Sequence, residues 1–329
     1  MRPEAMRGTL KIGVAMCTYN GARYLPVQLE SIASQSRKPD ILVVNDDGSV
    51  DGTVKILRAF STDAAFPVSI ARNAVKLGNL RNFENVISRC DADVIVLSDQ
   101  DDWWAPDKLK VLEDRFRADE EAGAIFSDAE IVDVDLNDLG YTLFDALMVS
   151  NAERLEVRLG NVLPALLRRN VVCGATLAIR ASWKQRALPF PDGVMHDEWI
   201  SLVVGAHAAV RFVPQTLIKY RQHGENQIGL PTGTWRRRVR RFMSHEAEAH
   251  TRRLTVMRSL HERLRNVRAP EPALDAIQEK IAHMERRLRS SRSFRHRIGL
   301  IARELTNGRY SRYSFGWISA AQDLIRPMR

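Results

Sequence analysis

An α/β fold with a mainly parallel sheet flanked by helices, followed by an all-helical extension, is what this sequence predicts. Short β-branched runs alternate with segments of helical apolar spacing through the first hundred residues. Polar or acidic turns close those runs, as they do where strands feed helices. After Gly233 the chain turns basic and its apolar spacing becomes helical throughout. The 329 residues, 45% hydrophobic and 27% charged, suit one large or two ordinary globular domains.

Ile12 to Met16 reads as the first strand, and Thr18-Tyr19-Asn20-Gly21 as the turn leaving it. Leu25, Leu29 and Ile32 follow at helical spacing. Ile41-Leu42-Val43-Val44 is a second buried strand, ending in Asn45-Asp46-Asp47-Gly48-Ser49. Gly48 there takes positive φ, and Asp51 or Ser49 caps a helix carrying Val54, Leu57 and Phe60. A strand over Phe66 to Ile70, a polar loop and a helix from Arg81 to Cys90 lead to the strand Val94-Ile95-Val96-Leu97-Ser98. Further on, Ala124 to Val132 and Thr176 to Ile179 read as strands, and Leu155 to Leu167 as one amphipathic helix. Met195-His196-Asp197-Glu198-Trp199 opens another helix, and Val210 to Val213 and Leu217 to Tyr220 are two short strands. Arg-rich helical patterns then run to Arg297, broken at Pro270 and Pro272, before a last segment from Tyr313 to Ile325.

Cys17, Cys90 and Cys173 are widely spaced and form no CxxC pair, which argues against a disulfide framework or zinc site and for a reducing cytoplasm. The apolar run Leu10 to Cys17 reads as a strand rather than a signal peptide. No stretch approaches the ~20 apolar residues that span a bilayer. The net charge of +9 is uneven. Residues 232–329 carry 23 Lys and Arg against 9 Asp and Glu, or +14, while residues 1–231 carry 26 against 31, or −5.

Asp99-Gln100-Asp101-Asp102 stands at the end of the Val94–Ser98 strand. Carboxylates this close repel, so the folded state needs positive charge among them, and a divalent cation suits hard oxygen ligands. In parallel sheets ligands bind at the carboxyl ends of strands. Thr18-Tyr19-Asn20, Asp46-Asp47 and Asp99–Asp101 all occupy such ends, and an Asp at the second can accept from a nucleobase N–H. Asp46-Asp47-Gly48-Ser49-Val50-Asp51-Gly52 also invites a calcium-loop reading, but the closing glutamate would have to stand where Arg58 is.

Together, Thr18-Tyr19-Asn20-Gly21, Asp46-Asp47-Gly48-Ser49-x-Asp51-Gly52-Thr53 and Asp99-x-Asp101-Asp102-x-Trp104 resemble the family 2 glycosyltransferases of GT-A fold. His196-Asp197-Glu198-Trp199 and Tyr220-Arg221-Gln222-His223-x-x-Asn226 extend the resemblance to the bacterial rhamnosyltransferase-like branch, over residues 10 to 229. The resemblance implies a GT-A domain over residues 1–231 and an inverting, metal-dependent transfer from a nucleotide-sugar donor to a glycan or lipid-linked acceptor. By it Asp46 contacts the base, with Thr18, Tyr19 and Asn20 in the same pocket. Asp99 faces the donor's sugar or ribose, Asp101 holds Mn²⁺ or Mg²⁺ on the diphosphate, His223 is a further ligand to that ion or a contact to the diphosphate, and Asp102 braces the loop. Asp197 is the implied base; family members often carry Glu-Asp there, and Glu198 stays open as an alternative.

The basic residues 232–329 read as a membrane-associating region. Arginine-rich amphipathic helices with Trp235, Phe242, Phe294, Phe315 and Trp317 suit an anionic membrane surface, placing the protein in the cytoplasm on the inner face of the cell membrane. No nucleic acid is expected as partner, since no recognised motif accompanies the charge. Two alternatives stand beside this reading. A haloacid-dehalogenase-type phosphohydrolase also places DxD at a strand end, though with Thr or Val where Trp103 stands here. The other is a non-catalytic protein that binds lipid or nucleic acid through its basic region.

Overall fold

The structure, a computed structural model, describes residues 9–160, 162–223, 246–289 and 294–325. Its centre is one mixed sheet of nine strands in the order β3-β2-β1-β4-β8-β6-β9-β5, with β7 paired to β6. Strands β1 (Ile12–Thr18), β2 (Ile41–Asp46), β3 (Val68–Arg72) and β4 (Val94–Ser98) pair in parallel. They are joined by helices α1 (Leu25–Ala33), α2 (Thr53–Asp63) and α3 (Asn79–Arg89). The expected parallel sheet is this half. Beyond it, β8 (Leu177–Arg180) runs antiparallel to both β4 and β6 (Ala122–Val132). Strand β9 (Ala209–Arg221) is parallel to β6, while β5 (Trp103–Trp104) and β7 (Asp138–Thr142) add antiparallel edges.

Alternate residues of the central strands feed two cores, one on each face of the sheet, which is why these strands read as continuous apolar runs. Val14 and Met16 of β1 pack with Leu25, Leu29 and Ile32 of α1 and with Leu109 and Leu112 of α4 (Lys108–Ala118). Ala15 and Cys17 face the other way, toward Phe83 and Val86 of α3 and Trp199 and Val203 of α9 (His196–Gly205).

Two sequence expectations are corrected. The segment 155–167 is not one helix. It divides into α6 (Asn151–Arg158) and α7 (Val162–Arg168), because Gly160 turns the chain at φ +86°. The two short strands expected over 210–220 are one, β9, carried past its polar middle by the long ladder with β6. The remaining short helices are α5 (Leu143–Ala146) and α8 (Lys184–Ala187).

The helical extension comprises α10 (Glu246–Asn266), α11 (Glu271–Arg289), α12 (Phe294–Thr306), α13 (Arg309–Tyr313) and α14 (Trp317–Ile325). It is not a detached unit: Met257, Leu260 and Leu264 of α10 and Ile277 of α11 belong to the same core as Trp199 and Leu202 of α9. Asn226, Trp235, Phe242 and the expected boundary at 231/232 lie outside the described residues, as does the side chain of Phe294. No helix among the described residues is long and apolar enough to cross a membrane.

Candidate active site

Parallel register aligns the three motif blocks. Thr18 pairs with Asp46 across β1 and β2, and Met16 with Ser98 across β1 and β4, so all three loops leave one edge of the sheet. They are then stitched together. Asn20, at φ +47°, donates its backbone N–H to Ser49 Oγ and accepts from Val50 N through its side chain. Gln100 clasps the backbone of Tyr19, donating to its carbonyl and accepting from its N–H. Gly21 leaves room for this clasp, since a Cβ there would lie 2.1 Å from Gln100 Oε1 and displace the Gln100 amide.

These loops, the start of α3, the turn at Cys173–Gly174, the N-terminus of α9 and the end of β9 enclose a cavity of about 470 Å³. Thr18, Tyr19, Asn20, Asp99, Asp101, Asp197 and His223 all line it, so seven of the eight residues singled out in the sequence converge on one space. Asp46 does not. It is completely buried, accepting from Thr18 Oγ1 at 3.0 Å and from Ser49 N at 2.9 Å, with Arg72 Nε 3.6 Å away. Its carboxylate builds the loop rather than the wall. The neighbouring Asp47 takes the wall position, accepting from Leu77 N, Gly78 N and Asn73 Nδ2 at 2.7–2.8 Å.

Two residues that the sequence did not single out for it stand against the Asp99–Asp102 cluster. Lys108 is completely buried, donates to the Ala175 carbonyl at 2.9 Å and lies 3.9 Å from the Trp104 ring centroid. Burial pushes its ammonium down to about 7 against the pull of Asp102 and Asp99. Arg221 donates its N–H to Asp102 Oδ1 at 3.2 Å and its Nε to the Asp101 carbonyl at 2.7 Å. Asp102 is buried, holds the β9 end in place and titrates well above the usual carboxylate range because of that burial. The expected bracing role matches this position.

Asp99 is pushed up to about 7, first by burial and then by the charges of Asp101 and Asp197. Asp101 Oδ2 lies 2.8 Å from His223 Nε2, and the His223 ring stacks on Tyr24 at 4.6 Å. Among the described residues no three His, Cys, Asp or Glu side chains are grouped to hold a metal. The Asp101–His223 pair nevertheless fits a shared cation. A carboxylate oxygen and an imidazole nitrogen are ordinary ligands, and adjacent ligands ~2.1 Å from an octahedral ion sit about 3 Å apart. Ions of this kind take one or two protein ligands and complete their shell with phosphate and water.

Asp197 sits in the first turn of α9, buried, with Oδ2 accepting from Gly174 N at 3.0 Å and Oδ1 from Asn170 Nδ2 at 3.3 Å. Burial raises its pKa above the usual carboxylate value even though His196 and the Gly174 N–H pull it down. Glu198 points elsewhere, into an ion pair with Arg253 of α10, and does not line the cavity. Asp197, the base implied by the sequence, thus faces the cavity, and its alternative Glu198 does not.

His196 is a cavity residue that sequence reasoning missed. It is 4% exposed, its ring stacks on Phe83 at 3.8 Å and 15°, and neither ring nitrogen has a partner among the described residues. Burial lowers its pKa and keeps it neutral, leaving one donor and one acceptor to offer. The only sequence signal was its place beside Asp197.

The family model described as Glycosyl transferase family 2 matches residues 13–184, more than half of the chain. The chain belongs to this family. Membership sets aside the phosphohydrolase alternative. A dTDP-rhamnosyl transferase, RfbG of Shigella flexneri, is 35% identical over 99 residues, covering 29% of this chain and 34% of the relative. The chain thus spans about a third of the length of that relative. Two solved structures share the fold. S. aureus TarS 1-349 in complex with UDP-GlcNAc superposes with a TM-score of 0.58 at 16% identity, covering 84% of this chain and 72% of that one. Mannosyltransferase PcManGT from Pyrobaculum calidifontis, in complex with GDP-Man and Mn²⁺, gives 0.54 at 17%, covering 97% and 86%. The fold is GT-A, with a helical extension.

Proposed function

We propose that the protein is an inverting glycosyltransferase that moves a deoxyhexose such as rhamnose from a nucleoside-diphosphate sugar to a hydroxyl of a surface glycan or its lipid-linked precursor. The observation that carries the reading is the convergence of Asp99, Asp101, His223 and Asp197 on the cavity at the carboxyl edge of β1, β2 and β4. Similarity to RfbG supports the rhamnosyl donor. Thr18, Tyr19, Asn20 and Asp47 would hold the nucleoside, and Asp99 the ribose or transferred sugar. Asp101 and His223 would hold a Mn²⁺ or Mg²⁺ ion, which when bound offsets charge on the departing diphosphate.

In the reaction the acceptor oxygen attacks the anomeric carbon, the bond to the diphosphate oxygen breaks, and Asp197 takes the hydroxyl proton. A carboxylate raised above its ordinary pKa is a stronger base for that transfer, and its donors from Gly174, Asn170 and the Glu198 backbone fix its direction. The C-terminal helical region, by this reading, works at an anionic membrane surface from the cytoplasmic side, where a lipid-linked acceptor would present its sugar.

A thermal-shift screen of nucleotide-sugars with and without Mn²⁺ tests the donor, with a shift from one donor that chelation removes as the expected result. Silence from every nucleotide-sugar would overturn the reading. Asp197→Asn should abolish transfer while leaving the donor-induced shift intact.

A further inference from the structure

The last helices are folded the wrong way out for a surface in water. On α14, Trp317 (74% exposed), Ile318, Leu324 and Ile325 (68%) face outward, with Ala321 among them. Ser319, Gln322 and Asp323 are buried beside Ala320 on the opposite side. At 100° per residue the outward apolar set occupies an arc of about 120°, the width at which an amphipathic helix normally faces its own core. The inward side is committed: Asp323 is fully buried and accepts from Arg287 and from the hydroxyl of Tyr310. The apolar side thus has no route inward.

The neighbouring α12 repeats the pattern. Ile298 and Leu305 are exposed at helical spacing on either side of Ala302, with Arg295 one turn earlier on the same side. Ile301, at the buried edge of this face, joins Tyr310 and Ala320 in the small core that fixes α12 against α14. Arg297 further ties the two by donating to the Leu324 carbonyl at 3.0 Å.

Charge selects the occupant. Residues 295–325 contain five arginines and two acids, and both acids are withdrawn from the surface. Glu304 is 2% exposed and paired with His283, Arg286 and Arg309; Asp323 is 0% exposed. Arg295, Arg303 and Arg312 remain on the outside. An exposed apolar surface flanked by arginines, with no exposed carboxylate in residues 295–325 and Glu279 of α11 paired to Arg312, complements anionic phospholipid headgroups better than a second copy of itself. Tryptophan at its edge suits the headgroup boundary, where an indole keeps its N–H hydrated while burying its ring.

We propose that the outward apolar face of α12 and α14, led by Trp317 and Ile325, is the surface that seats this protein on an anionic lipid bilayer. The proposal rests on the membrane-surface reading given above and assigns it to particular side chains. It differs from the sequence expectation in one respect: Phe315, counted there among the lipid-facing aromatics, is half-buried with the Arg169 guanidinium 5.6 Å from its ring centroid. Of that set, among the described residues, Trp317 is the aromatic that faces out.

The test is co-sedimentation of the full chain with vesicles of phosphatidylcholine alone or mixed with phosphatidylglycerol, for wild type and a Trp317→Ser/Ile325→Ser variant. Both side chains are exposed and outside the candidate active site, so the variant should keep the wild-type melting temperature and donor turnover. Wild type should bind the anionic vesicles and ignore the neutral ones, and the variant should bind at least tenfold more weakly. Equal binding by both proteins would overturn this face while leaving membrane association standing. Wild-type indifference to anionic vesicles would overturn both. A wild-type dimer in sedimentation that the variant converts to monomer would assign the face to a second copy and overturn the lipid proposal.

Discussion

Gly174 is where one methyl group should be felt most. It begins the short 3-10 turn Gly174–Thr176, and its N–H holds Asp197 Oδ2 at 3.0 Å. A Cβ on Gly174 would lie 2.4 Å from His196 Nε2, whereas ordinary contact starts at 3.4 Å, so 3.4 − 2.4 = 1.0 Å must be found. The imidazole cannot retreat, because it is stacked 3.8 Å from the fully buried ring of Phe83. The displacement must pass into the turn and the first turn of α9, and so into the carboxylate of Asp197. Gly174 has no left-handed φ, so Gly174→Ala is a purely steric perturbation. Overpacking of this kind costs about 1–3 kcal/mol of stability. Displacing a reacting group by ~1 Å costs on the order of 100-fold in rate. The expected variant therefore melts several degrees lower and loses about 100-fold in kcat, while still binding free nucleoside diphosphate. Gly299→Ala is the control: nothing lies within 4 Å of a Cβ there, it sits inside α12, and it should gain about 0.5–1 kcal/mol with no change in rate. Gly174→Ala with the wild-type kcat would refute the coupling of His196, Gly174 and Asp197.

Three further outcomes can be measured. Asp99 titrates near 7 rather than 3.8, so its protonated form is favoured by folding; the stability it lends is present below about pH 4 and lost as pH rises through about 7. In chelator, Asp99→Asn should therefore melt above wild type at pH 8 and no higher at pH 4, and a pH-independent difference would contradict the buried-charge account. His196→Leu should lower kcat/KM at least tenfold with little loss of stability, because its unpartnered ring nitrogens serve substrate rather than fold, and His196→Gln should recover part of it; equal rates in all three proteins would exclude a substrate contact. Arg253 pairs with Glu198 and donates to the Leu166 carbonyl, joining α10 to the core, so Arg253→Met strands a buried carboxylate at a cost of about 3–5 kcal/mol. Urea denaturation should show that loss, and Glu198→Gln in the same chain should restore most of it.

Much of this was legible in the chain itself. The continuous apolar runs of β1, β2 and β4 announce strands buried on both faces, and a polar or acidic block at the end of each announces the edge where a ligand binds. That information is local, because period and turn chemistry are properties of neighbouring residues. It placed Thr18, Tyr19, Asn20, Asp99, Asp101, Asp197 and His223 on one cavity, and made the C-terminal region helical. It misjudged 155–167, where the hydrophobic period runs across a glycine whose left-handed conformation divides the helix.

What only the tertiary structure decided are the choices between adjacent, chemically equivalent side chains. Asp46 and Asp47 are neighbours of one type, yet one is sealed under Thr18 and Ser49 while the other faces the cavity. Asp197 and Glu198 are both acids at a helix start, separated by the arrival of Arg253 from 55 positions along the chain (253 − 198). Lys108 lies buried near Asp99 and Asp102, Arg221 holds the Asp101–Asp102 loop through its backbone N–H and its guanidinium, and nothing near Asp99 in sequence pointed to them. The sequence by itself determined most of the elements and which chemistry gathers at their ends. The direction of each side chain depended on distant partners, because electrostatics and packing act through space and the sequence records only order.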